Sequence, residues 1–111
     1  MSKMSELSMA LDDYADYLKA NYNARGYSRP DRQLTVEFDM GSKFIKVIVG
    51  HTNDTQRSSH SFIVLGEVKG KKNTFKTGDI LKSASWRAPA KNFARGNILE
   101  NSYGTISWAG A

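Results

Sequence analysis

The chain of 111 residues is long enough to bury one modest core, and with 40% hydrophobic residues it is expected to fold as a single domain, residues 1–111. The lack of cysteine excludes disulfides, thiolate metal sites, iron–sulfur clusters and a cysteine nucleophile, and it suits a reducing compartment such as the cytoplasm. The net charge of +5 is concentrated late in the chain, because residues 69–111 hold eight lysines and arginines against two acidic residues.

An amphipathic helix is predicted over residues 4–22. Hydrophobic residues recur there at spacings of four, three and four, while aspartates and a lysine take other directions around the helix. Gly26 then supplies backbone freedom and Pro30 cannot continue the hydrogen-bond ladder, so the helix is expected to end in the segment 23–32. The apolar row consists of Leu7, Leu11, Tyr14 and Leu18.

A β-rich body is predicted over residues 34–111. From Leu34 the hydrophobic period switches to two, which indicates a half-buried strand over residues 34–40. Residues 44–49 follow a tight turn and are mostly β-branched, with Lys46 as their one charged member. We expect these two strands to pair as a hairpin near the centre of a sheet.

The rest of the body is predicted to alternate short strands with loops. Residues 51–59 form a polar loop, 61–65 a third strand and 66–73 a lysine-bearing turn. Within 75–82, Gly78 takes a positive φ in a turn that feeds another strand. A helical turn between residues 89 and 96 and a short strand over 103–108 follow. The fold class is therefore α+β, one helix packed across an antiparallel sheet of about four or five strands.

The segment 86–97 contains the candidate binding residues with the most specific sequence pattern. It interleaves two aromatic rings with three cations in a loop-like frame, the combination by which proteins stack on bases and neutralise phosphates. The alternative interpretation makes the rings core residues that hold an irregular loop while the cations face water. The five candidates are Trp86, Arg87, Lys91, Phe93 and Arg95.

The turn 66–73 contributes three further candidates, Lys69, Lys71 and Lys72. These lysines either lie on an anionic partner, such as a phosphate backbone, or belong to a solvated hairpin turn, and both interpretations predict exposure. The turn lacks the spacing and the following helix of a P-loop, so it is not predicted to bind nucleotide phosphates in that way.

No catalytic residue, metal site or cofactor is predicted. His51 and His60, together with a nearby lysine, suggest acid and base steps on a phosphodiester. However, no third residue lies at a spacing typical of a catalytic partner that would orient either ring. No cysteine or carboxylate cluster completes a metal coordination set with them. We therefore expect a non-enzymatic protein, and a small nuclease is kept only as a third hypothesis.

The C-terminal third carries a recognisable set of motifs. They are Gly-Asp-Ile-Leu-Lys at 78–82, Ala-Ser-Trp at 84–86, Ala-Pro-Ala at 88–90, Phe-Ala-Arg-Gly-Asn-Ile at 93–98 and Trp-Ala-Gly-Ala at 108–111. With these motifs the last third of the chain resembles small uncharacterised proteins encoded by tailed bacteriophages. The resemblance implies a viral origin and a host cytoplasm, and it implies no mechanism and no catalytic residues.

Two binding functions are therefore expected, neither involving a membrane, because no stretch approaches the roughly 18 apolar residues that span a bilayer. In the first, a host-directed inhibitor or assembly factor presents its basic C-terminal surface to a host or phage protein with an acidic surface, or offers the helix face with Tyr14 and Tyr17. The alternative is sequence-tolerant nucleic-acid binding. The phage origin implied by the resemblance favours protein binding, and the concentration of positive charge in the C-terminal third favours nucleic-acid binding.

Overall fold

The computed structural model of the protein describes residues 3–26, 30–70, 73–91 and 93–110. Within these ranges one helix and seven strands are present, five of which form an antiparallel sheet in the order β1-β2-β3-β6-β7, while β4 and β5 pair as a separate ribbon. The predicted α+β class and strand number are confirmed. The elements are α1 (Lys3–Ala24), β1 (Leu34–Met40), β2 (Phe44–His51), β3 (Arg57–Val64), β4 (Val68–Lys69), β5 (Thr74–Phe75), β6 (Asp79–Lys82) and β7 (Gly96–Asn97).

Helix α1 buries its whole predicted apolar row against one face of the sheet. Tyr14 and Leu18 have no exposed surface, and Tyr22 extends the buried row by one more turn. The sheet side of this core comes mainly from β1 and β2, and β3 and β6 add one buried isoleucine each. Gly26 ends the helix, because its N–H donates to the Asn23 carbonyl at 3.0 Å and its φ of 78° is left-handed.

Strands β1 and β2 form the predicted hairpin, with Val36 opposite Val49 and Phe38 opposite Val47. The expectation that this hairpin lies near the centre of the sheet is wrong for β1, which is an edge strand. The alternation along β2 separates its side chains between the two faces of the sheet. Ile45, Val47 and Val49 join the helix-side core, and Phe44, Lys46 and Ile48 lie on the opposite face.

A β-bulge at His60 changes which residues of β3 face the helix. Val47 is opposite Ser61, whereas the next residue, Ile48, is opposite Ser59, so His60 is the extra residue on β3. Past the bulge the pairing continues, and β3 begins four residues earlier than predicted. The predicted polar loop 51–59 is therefore reduced to residues 52–56.

The helical turn predicted between residues 89 and 96 is absent from the described residues of that segment. The Ala90 N–H donates to the Lys82 carbonyl at 2.7 Å, and the Arg95 N–H donates to the Ile80 carbonyl at 2.7 Å. Because these amides bond to β6, they do not form the local hydrogen bonds of a helix.

The strand predicted over residues 103–108 is also wrong, since the described tail forms one isolated bridge instead. Side chains of α1 form hydrogen bonds with the backbone groups of the tail. The Tyr17 hydroxyl donates to the Ile106 carbonyl at 2.6 Å, and the Trp108 N–H donates to the Asn21 Oδ1 at 3.0 Å. The tail is therefore hydrogen-bonded to α1 and does not form a further strand of the sheet.

The turn before β6 needs a glycine, as predicted. Gly78 has a φ of 92°, and a Cβ placed there would lie 2.8 Å from the Asn97 Oδ1. Buried Asn97 donates to Asp79 at 2.9 Å and accepts from the Leu99 N–H at 2.8 Å. These bonds fix the short β7 edge against β6.

A second, smaller core lies on the face of the sheet away from the helix. Phe44, Val68 and Ala94 pack partly buried against it, which brings β2, the β4–β5 ribbon and the segment before β7 together. Its buried members are Phe62, Val64, Phe75 and Leu81. Because this core is small, the end of β2 that carries Lys46 remains partly exposed.

Replacing Leu18 with alanine is expected to lower the free energy of unfolding by roughly 2 to 5 kcal/mol, because a fully buried side chain leaves a cavity. Leu11→Ala is expected to act in the same direction. Urea unfolding followed by circular dichroism measures both. Met9→Ala is the matched control, since Met9 lies on the same helix and is 61% exposed, and a change within about 0.5 kcal/mol is expected. A Leu18→Ala loss no larger than this control would contradict the helix packing.

Candidate binding surface

Trp86 and Arg87 lie at the tip of a tight hairpin that follows β6. The N–H groups of Ala84 and Ser85 both donate to the Ala88 carbonyl, at 3.0 and 3.1 Å, and hold the tip in place. Trp86 is 47% exposed and Arg87 is also exposed. The interpretation of Trp86 as a core residue is therefore wrong.

The Trp86 ring lies against a cation from the middle of the sheet. The Lys46 Nζ is 4.2 Å from the centroid of the ring, which is within the range of a cation–π interaction. Strand β3 lies between β2 and β6, so the hairpin tip extends across the face of the sheet to reach Lys46. Lys46 was not among the predicted site residues, although it is the one charged residue in a strand otherwise apolar through residue 49.

An open groove of about 290 Å³ connects Arg87 to the β1–β2 hairpin. Two phenylalanine rings line it in an edge-to-face arrangement with centroids 6.2 Å apart. Three cations line the groove as well, against one carboxylate, that of Asp39. The lining residues are Asp39, Gly41, Ser42, Lys43, Phe44, Lys46, Phe62 and Arg87.

A second ring and cation pair lies in the segment after the hairpin. Phe93 is 50% exposed, and the Arg95 guanidinium carbon is 4.0 Å from the centroid of its ring. Lys91 in the same segment places its Nζ 5.6 Å from the Phe44 centroid, so it adjoins the groove. The interpretation of Phe93 as a core residue is wrong too, because the residue that packs into the small core is Ala94.

Lys69 comes close to this segment through the β4–β5 ribbon. It is exposed in β4, and a Cβ on the next residue, Gly70, would lie 3.1 Å from the Lys91 carbonyl oxygen. The ribbon end and the Lys91 segment are therefore in close contact. The other two predicted lysines of this turn, Lys71 and Lys72, lie outside the described residues.

The cations of this region have no carboxylate within 4.0 Å in the described ranges, whereas Arg32, Arg57 and Lys76 each form an ion pair elsewhere. Their charge is therefore not neutralised by a direct ion pair to a described carboxylate, and it adjoins two half-exposed rings. We call this set the basic aromatic surface. It consists of Lys43, Phe44, Lys46, Lys69, Trp86, Arg87, Lys91, Phe93 and Arg95.

His60 lies in a buried polar network. Its Nε2–H donates to the Ser107 carbonyl at 2.7 Å, so its Nδ1 accepts from the Ser61 hydroxyl at 2.9 Å. The Tyr14 hydroxyl is 3.1 Å from the Ser61 Oγ and completes the network. Burial lowers the pKa of His60 below its usual 6.5, although the bond to the Ser107 carbonyl opposes this shift.

His51 is at the end of β2 and contacts different residues from His60. Its ring packs 5.5 Å from Tyr22 and 6.1 Å from Trp108, measured between centroids. The two histidines therefore belong to separate environments. In the described part of the chain no group of three or more histidines or carboxylates is arranged to hold a metal ion. No helix among these residues is both long and apolar enough to cross a bilayer.

Comparison with known proteins places almost the whole chain in one family without assigning an activity. The model of a family of unknown function (DUF7717) matches residues 2–111. No curated protein and no solved structure matches the chain.

Lowering the pH below about 6.5 is expected to destabilise the fold in part through His60. The unfolded chain protonates this histidine at its ordinary pKa, whereas the folded protein keeps it neutral to lower pH. The unfolded state therefore binds more protons in this window, and stability is lost as the pH falls from the unfolded toward the folded pKa. Urea unfolding at about pH 5, 6 and 7.5 measures the loss.

His60→Gln is expected to be less stable at neutral pH, because it disturbs the buried network, and to lose part of the pH dependence of stability below about pH 6.5. His51→Gln is the matched control for removal of a histidine outside this network. An unchanged pH slope in His60→Gln would show that His60 does not contribute to it.

Proposed function

Because this chain belongs to the DUF7717 family, whose function is unknown, we propose a function from its own surface: it is a non-enzymatic accessory protein that binds an anionic macromolecule. The binding site is the basic aromatic surface. The observation that carries the proposal is the set of cations without carboxylate partners among the described residues, next to two half-exposed rings. Phage origin and action in a host cytoplasm belong to the same proposal, on the resemblance of the last third of the chain.

The residue types at the hairpin tip suit binding. Tryptophan and arginine are enriched among the few residues that dominate binding energy, because they combine a large contact area with directional charge. Trp86 and Arg87 are adjacent and exposed on a tip that three backbone groups hold in shape. A partner would therefore meet a preorganised tip, which lowers the entropic cost of binding.

The burial of His60 supports the non-enzymatic part of the proposal. Both of its ring nitrogens have protein partners, and the neighbouring Ser61 hydroxyl has no exposed surface. A substrate would have to displace the helix to reach either group. Tyr14, which completes the network, is likewise fully buried, and burial raises the pKa of its hydroxyl so that it stays protonated.

The sequence predicts first that the anionic macromolecule is a host or phage protein with an acidic surface, and that binding inhibits or recruits it. Complementary charge would accelerate the encounter and orient the two surfaces. This part rests on the resemblance to phage proteins. The unpaired charge and the exposed rings support an anionic partner of either class.

Affinity purification from host lysate, with and without nuclease, tests the proposal. Arg87→Glu is expected to reduce the retained partner at least about tenfold, a loss of about 1.4 kcal/mol or more in binding free energy. Lys76→Glu is the matched control: it changes the net charge equally, but Lys76 lies outside the surface and pairs with Glu100 at 3.1 Å.

A partner that is lost from Arg87→Glu and kept by Lys76→Glu supports the proposed function, whether or not nuclease removes it. Retention of the same partner by both variants, or of no macromolecule by the wild type, contradicts it.

A further inference from the structure

We propose that the basic aromatic surface binds single-stranded nucleic acid, with backbone phosphates on its cations and unpaired bases stacked on Trp86 and Phe93. This inference rests on the proposed function and names the class of its anionic partner. The net charge of the chain alone does not lead to this inference, because it depends on the two ring and cation pairs of the structure, Lys46 with Trp86 and Arg95 with Phe93.

Base stacking needs aromatic residues that a partner can reach, and both rings belong to such residues. Trp86 and Phe93 are 47% and 50% exposed. Each ring also has a cation within about 4 Å of its centroid, Lys46 for Trp86 and Arg95 for Phe93. These cations restrain the rings before binding and lie where a phosphate next to the stacked base would be neutralised.

The cations themselves suit phosphates better than the centre of a protein interface. Four of the six are lysines, a residue type that is depleted from protein–protein interfaces and common on nucleic-acid backbones. The groove residues and Lys91 form a continuous set, because Lys91 lies over the same Phe44 that lines the groove. A flexible strand can follow such a set of charges with its backbone.

A single strand fits this surface better than a duplex. Base faces in a duplex are stacked on one another, and its base edges are read by an element inserted into a groove. The only helix of the described residues, α1, packs on the opposite face of the sheet. A duplex would therefore meet only the cations, whereas a single strand would use the rings as well.

Asp39 is the feature of the groove that opposes phosphate binding. Its carboxylate is exposed and lines the groove together with Lys43 and Arg87. If phosphates occupy the groove, Asp39→Asn should strengthen binding, because it removes a like charge at nearly constant size. An acidic protein partner would respond in the same direction, so this variant tests the groove and not the class of partner.

Fluorescence anisotropy with labelled oligonucleotides of about 12 residues tests the inference, using oligo(dT), oligo(U) and a DNA duplex. Both single strands are expected to bind more tightly than the duplex. Trp86→Ala is expected to weaken single-strand binding about 5- to 150-fold, the range for loss of one stacked base, and Trp86→Phe to retain most of the binding. Lys76→Ala is the control for loss of a cation elsewhere.

Salt dependence gives a second readout. If four phosphates are neutralised, the affinity for a single strand should fall roughly 50-fold between 50 and 200 mM salt, from a slope of about −0.7 per phosphate. Arg87→Ala should make that slope shallower by about one phosphate, whereas Trp86→Ala should leave the slope unchanged and lower the affinity at every salt concentration.

The outcomes separate this inference from the proposed function. No detectable single-strand binding at low salt, or binding that is indifferent to Trp86→Ala, overturns the inference. If the lysate experiment then returns a nuclease-resistant protein that Arg87→Glu loses, the proposed function stands with a protein partner. If that experiment also returns no Arg87-dependent partner, both fall.

Discussion

The packing of α1 against one face of the five-stranded sheet is the interaction on which the other features of this protein depend. The helix covers one face of strands β1, β2, β3 and β6 with a row centred on Tyr14 and Leu18, both fully buried. Because a single helix shields only one face, the opposite face must be covered by the small core or be exposed to solvent. The basic aromatic surface lies on that opposite face, which explains why Lys46 can occupy an interior strand without a buried charge.

A buried polar network accompanies this packing and connects three parts of the chain. The bulge at His60 turns two consecutive polar side chains of β3 toward the helix, and Tyr14 and the Ser107 carbonyl satisfy them. Each of these groups would be costly to bury alone, so the network stabilises only when helix, sheet and tail are all in place. It therefore favours one position for the tail along α1. Tyr17 and Asn21 fix the same position through further bonds to the tail backbone.

The candidate surface is assembled from segments far apart in the chain. Lys46 comes from β2, Trp86 from the hairpin after β6, and Lys91 from the segment that runs back along β6. Lys46 contacts Trp86 across the sheet, whereas Arg95 contacts Phe93 within one segment, and in both pairs the ring is restrained by a charge that also attracts the partner. The fold therefore holds the rings and cations in place before a partner binds. Their unpaired positive charge attracts an anionic partner.

The sequence by itself determined the elements whose patterns are local. The 3.6-residue row gave α1 to within two residues at its ends, and the period-two pattern gave β1 with its observed bounds, because side-chain direction in a helix or strand follows from the backbone alone. It also identified Trp86, Arg87, Lys91, Phe93 and Arg95 as an unusual mixture of rings and cations. Only the tertiary structure decided that the two rings are exposed, that Lys43 and Lys46 join them, and that residues 89–96 and 103–108 are neither helix nor strand. Those outcomes depend on which group elsewhere in the fold bonds to a backbone N–H or carbonyl, or covers a ring. The Ala90 N–H donates to the Lys82 carbonyl and the Ile106 carbonyl accepts from the Tyr17 hydroxyl, and no local pattern encodes these choices.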